Sequence, residues 1–108
     1  MLNSATSVLE RRLPISDTHH THPYEAGWAS EAVLFVQIEG AHPPLQLQPE
    51  MSPDGLVWIP LQPVTEMASE QSIAGLQLRH FGGWIRLTIT GPTAANPATV
   101  LIHLALKG

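Results

Sequence analysis

Residues 81–91 read FGGWIRLTITG, and the seven residues Trp84–Thr90 within them decide the fold class. Ile85, Leu87 and Ile89 alternate with Trp84, Arg86, Thr88 and Thr90. Side chains of a strand point alternately to opposite faces, so a period of two puts the aliphatic residues on one side and the aromatic and polar ones on the other. Isoleucine and threonine are branched at Cβ and fit a pleated, half-buried surface. The run stops at Gly91-Pro92, which opens the loop GPTAANPA.

The same pattern continues on both sides. Downstream, Thr99–Leu106 (TVLIHLAL) places Val100, Ile102, Leu104 and Leu106 on one face and His103 on the other. Upstream, Ser72–His80 carries Leu76 and Leu78 in alternation, and Leu45–Gln48 sets Leu45 and Leu47 between glutamines. Ala32–Ile38 (AVLFVQI) is a further run of β-branched and aromatic residues. The stretch Ser52-Pro53-Asp54-Gly55 predicts a turn: proline presets φ, aspartate bonds nearby backbone, and glycine accepts positive φ. Leu56–Leu61 (LVWIPL) then returns, so Leu45–Leu61 predicts a hairpin. No stretch has the period of a long amphipathic helix. Six strands joined by short loops predict an all-β fold, a single β-sandwich or jelly-roll of about six to eight antiparallel strands.

The N-terminal part reads differently. Residues 1–14 are expected to form an extended arm, with one short element, helix or strand, at Ser7–Leu13. Residues 15–108 form the sandwich domain, entered through the polar segment ISDTHHTHPYEAGWAS at residues 15–30. Apolar residues on the second faces of the strands, among them Leu34, Val36, Ile38, Leu101 and Ala105, are expected to need cover from another subunit.

Composition narrows the function. The 108 residues suit one domain, and the charged share of 13% is about half of the usual ~25%. A net charge of −4, with only Arg11 and Arg12 adjacent among five basic residues, argues against a nucleic-acid partner. Without cysteine there is neither a disulfide nor a thiolate metal site. The opening MLNSATSVLERRLP lacks the order of a secretory signal, and no apolar run approaches the ~20 residues needed to cross a membrane. The expectation is synthesis in the cytoplasm and no membrane partner.

Few residues invite a chemical role. His20 and His22 share one side of an extended segment and could hold an ion with help from Asp17, Glu25, His42, His80 or His103; a solvated loop or a subunit contact accounts for them without metal. There is no nucleophile elbow, no paired carboxylate arrangement and no phosphate loop. The reading is therefore not an enzyme, with no catalytic, cofactor or metal residues and no cofactor. Trp58 and Trp84 are expected to fill the core or a seam between subunits, the alternative being an exposed platform that stacks on sugar rings. Residues expected at an interface are Arg11, Arg12, His20, His22, Trp28 and Trp84.

Three segments between Glu31 and Leu106 carry a resemblance: the hairpin LQLQPEMSPDGLVWIPL, the strand FGGWIRLTITG and the closing strand ATVLIHLAL. Together they resemble small β-sandwich virion structural proteins of tailed bacteriophages. The resemblance implies a head decoration, or cement, protein on the capsid surface. Such a protein braces contacts between copies of the major capsid protein; it is expected to associate with itself, as a trimer. A tail or neck component is the alternative within the virion, and a carbohydrate-binding module the alternative outside that class.

Overall fold

The alternating runs become ten strands in a computed structural model that describes residues Ser4–Gly108. In chain order these are β1 (Ser4–Ile15), β2 (His19–His20), β3 (Tyr24–Glu25), β4 (Glu31–Glu39), β5 (Leu45–Ser52), β6 (Ile59–Pro60), β7 (Thr65–Met67), β8 (Ile73–Arg79), β9 (Trp84–Thr90) and β10 (Ala98–Lys107). The first sheet has the order β1-β10-β4-β8 and the second β2-β9-β5-β6, with β3 also on β9 and β7 also on β5. All ladders between these strands are antiparallel. The fold is the expected all-β sandwich. Its strand number exceeds six to eight because β2, β3, β6 and β7 are pieces of two or three residues laid along β9 and β5.

The core is a layer of aliphatic side chains between the sheets. Leu34, Val36, Val100, Ile102 and Leu104 from the first sheet, and Leu47, Met67, Ile85, Leu87 and Ile89 from the second, are fully buried. Each leucine or isoleucine so removed from water contributes roughly 1.5–3 kcal/mol. Trp84–Thr90 and Thr99–Leu106 divide between interior and exterior as their alternation requires, with His103 outward. The second-face reading of β4 is corrected: Leu34, Val36 and Ile38 are interior residues, and Val33, Phe35 and Gln37 face out. An apolar run on both faces of a strand does not reveal which face is inside. Leu101 and Ala105 do face out, half-buried.

Two other segments differ from expectation. The stretch expected as an arm is, from Ser4 onward, a twelve-residue edge strand aligned with β10 from Ser4↔Lys107 to Ile15↔Ala98; residues 1–3 lie outside the described residues. Register shifts between Val8 and Glu10 and between Glu10 and Leu13, with Arg12 at φ 47°, break the period that would have marked β1 as a strand. Glu10 on β1 also pairs with His19 on β2, which ties the edges of the two sheets together. The Leu45–Leu61 hairpin forms, with Ile59–Pro60 paired to β5 and Leu61 N donating to Pro49 O at 2.9 Å, but it is short, and Leu56 and Val57 project into solvent.

Glycine is required where β9 begins. Gly83 has φ 71°, and a Cβ there would lie 2.3 Å from the Ser52 carbonyl oxygen. Gly40 also has positive φ, 75°, but nothing lies near its missing Cβ. In urea titrations Gly40→Ala should cost about 1–2 kcal/mol, the left-handed penalty alone. Gly83→Ala should cost clearly more, since the β5 backbone must also move.

Candidate functional site

The outer face of the second sheet gathers the polar and aromatic residues that the core leaves out. Antiparallel register places Gln46, Gln48 and Glu50 of β5 opposite Thr90, Thr88 and Arg86 of β9. Cross-strand neighbours at this spacing touch. Arg86 Nε donates to Glu50 Oε1 at 2.8 Å, and the Thr88 hydroxyl donates to the same oxygen at 2.5 Å. That hydroxyl proton is thereby committed, so the contact of His20 Nδ1 with Thr88 Oγ1 at 2.7 Å requires an Nδ1–H donor on histidine. The chain of contacts ends on Trp58, whose ring centroid lies 4.4 Å from the Arg86 guanidinium carbon.

Both tryptophans of this region lie outside the aliphatic core, so of the expected core or subunit seam the core is corrected. Trp84 starts the outward row of β9 and remains half-buried, with Gly55 against its ring. Trp58 follows the turn and is half-buried over Arg86. The turn is held from within. Ser52 Oγ accepts the Asp54 and Gly55 amides at 3.2 and 2.8 Å and donates to Asp54 Oδ1 at 3.0 Å. The same carboxylate oxygen accepts the amides of Leu56 and Val57 at 2.9 and 3.1 Å. These bonds, the Leu56 amide first, hold the Asp54 carboxyl below its ordinary range.

The residues expected at an interface do not form one surface. His20, His22 and Trp84 belong to the outer face of the second sheet or its margin, with buried Thr21 between the two exposed histidines. His19 turns the other way, toward Glu10, so the histidine segment is divided between two sides of its strand. Among the described residues, no three His, Asp or Glu side chains converge as a metal site would need. Arg11 and Arg12 are exposed on β1, with Arg12 paired to Glu39 at 2.9 Å, and Trp28 lies beside Gly108. Sequence reasoning missed Glu50, Thr88 and Arg86 as a connected group; their link depends on the β5–β9 register, which no local pattern reveals.

The outer face of the first sheet has another character. Val8, His103, Phe35 and Gly75 lie in one row across all four strands. Leu101, Gln37 and Ile73 form the next. Val8, Phe35 and Ile73 are 40%, 39% and 50% exposed. No Lys, Arg, Asp or Glu occupies these paired positions, and on β1 the second row ends at the bulge that carries exposed Arg11 and Arg12.

No protein-family model matches this chain, and no curated protein matches it. Two solved structures share the fold. One comes from Bacillus endospore appendages, which form a family of disulfide-linked pili; it is 12% identical, with TM-score 0.64, over 99% of this chain and 85% of that one. The other is a family two carbohydrate esterase from Cellvibrio japonicus, 16% identical with TM-score 0.51. All of this chain aligns there with 34% of the esterase, so it spans about a third of that protein. At such identities the likeness is one of fold.

The Asp54 turn yields a pH prediction. A carboxyl whose folded-state pKa is depressed stabilises the fold fully above its unfolded value, near 3.8, and the stabilisation is lost as pH falls through the folded value. Urea unfolding should show the native chain more stable than Asp54→Asn at neutral pH, with the difference shrinking as pH drops below about 4.

Proposed function

We propose that this chain is a structural protein of a virion without catalytic activity, a capsid-surface decoration subunit that braces contacts between major capsid protein subunits. The observation that carries the reading is the apolar outer face of the first sheet. Val8, Phe35 and Ile73 stand exposed there, beside the half-exposed Val33, Leu101 and Ala105. These residues, with His103 and Gln37 among them, form a largely apolar patch on an exposed sheet face, and such a patch marks a contact with other protein. Low charge and a rigid antiparallel scaffold suit a part held in many copies on a larger shell. The sequence resemblance to small virion proteins points the same way. The endospore-appendage chain, whose assemblies are pili, adds that a sandwich of this size serves in at least one multi-subunit structure. Contacts with further copies of the chain belong to the same proposal.

The test is co-sedimentation with capsid shells of the encoding phage. The native chain is expected to pellet with the shells. A Phe35→Asp/Ile73→Asp double variant, whose changes lie on outward positions, should keep its melting temperature and lose at least about tenfold in affinity, or 1.4 kcal/mol. A native chain that stays in the supernatant, or a variant that binds equally, would contradict the proposal.

A further inference from the structure

We infer that the outer face of the second sheet is a binding platform for a neutral polysaccharide, a role separate from the contacts proposed for the first sheet. A pyranose ring presents an apolar C–H face surrounded by hydroxyl groups. It needs an aromatic surface and a dense set of donors and acceptors at one level. Trp84 and Arg86 are two residues apart on β9, about 7 Å along the strand, with Trp58 laid over the guanidinium. Past them on the same face, Gln46 presents its amide NH2 and Thr90 its hydroxyl oxygen, with Thr90 Oγ1 donating to Gln46 Oε1 at 3.1 Å. Thr88 is committed to Glu50 and His20, and the Gln48 amide donates to the Pro49 and Gln62 carbonyls at 2.9 and 2.7 Å. The row from Trp84 to Thr90 extends roughly 20 Å, long enough for several sugar units and matched to a polymer rather than a small molecule.

Charge selects among ligands. The cation of this face, Arg86, is paired with Glu50, and both side chains are mostly covered, at 20% and 17% exposure. A spent ion pair offers little to a phosphate backbone or an acidic sugar, and the chain carries a net charge of −4. The pair serves instead to fix geometry. Glu50 holds Arg86 and Thr88, Thr88 holds His20, and Arg86 supports the Trp58 ring. A face whose rotamers are set before binding loses less conformational freedom when a sugar arrives. The Ser52–Asp54 bonds do the same for the turn leading to Trp58, and Gly55 seats that turn on Trp84.

The experiment is calorimetric titration of the full chain with cellohexaose, xylohexaose and chitohexaose, and with hexagalacturonate as the charged control. At least one neutral probe should bind with Kd of about 1 mM or tighter and shift the tryptophan emission. Trp58→Ala should weaken that binding at least about tenfold. Gln46→Ala, at an exposed position that leaves the core untouched, should weaken it severalfold at an unchanged melting temperature. Absence of binding by all three neutral probes would overturn the inference. So would binding confined to hexagalacturonate, or binding that both variants leave intact. Capsid association of the same variants is expected to be unchanged, so this test and the shell test fail independently.

Discussion

The aliphatic layer between the sheets obliges each long strand to give every second side chain to the interior. Once Leu47, Ile85, Leu87 and Ile89 pack against Leu34, Val36, Val100, Ile102 and Leu104, the alternate residues have no choice of side. A slip of one residue would turn Arg86 and Thr88 into the dry layer, where an unpaired charge is costly. The core therefore sets the β5–β9 register, and the register brings Glu50 to Arg86. What lies on either outer face is a consequence of that packing.

The two outer faces then take opposite characters. On the first sheet, Val8, Phe35, Leu101 and Ile73 surround His103 and leave apolar surface open. On the second, hydrogen bonds and an ion pair run from His20 to Trp58, and every buried side-chain nitrogen and oxygen among the described residues has a partner. An apolar face is stabilised by cover from protein, whereas a satisfied polar and aromatic face remains stable in water and meets ligands there. A sandwich divided in this way can attach by one side and present the other.

How much of this could be read from the residues depended on period. The alternation in WIRLTIT and TVLIHLAL identified β9, β10 and their inward faces, because a polar residue separated each aliphatic pair or a histidine marked the outer side. The β4 run AVLFVQI carries apolar residues on both faces, and its inside was not legible. At Ser7–Leu13 helix and strand stayed open, and the full length of β1 was not legible, because two register shifts and the positive φ of Arg12 interrupt its period. The turn at Asp54 was plain from its chemistry, yet LVWIPL after it meets β5, on the edge opposite β9, only near Ile59–Pro60, and β7 takes the rest of that edge at Leu45–Leu47. The tryptophans were left between core and subunit seam for a related reason: burial averages favour the interior, and only pairing shows that both stand outside the core.

The central claim, that the first sheet is the covered side and the second the open one, has a direct measurement because the chain contains no cysteine. A single thiol can be introduced at Gln77 on the outer face of the first sheet, or at Gln46 on that of the second, both exposed in the isolated chain. The rate of thiol modification is then compared for free protein and for protein bound to capsid shells. The account predicts that Gln77→Cys becomes protected on the shell while Gln46→Cys reacts as before. Protection of Gln46→Cys instead, or no protection at Gln77→Cys, would contradict it.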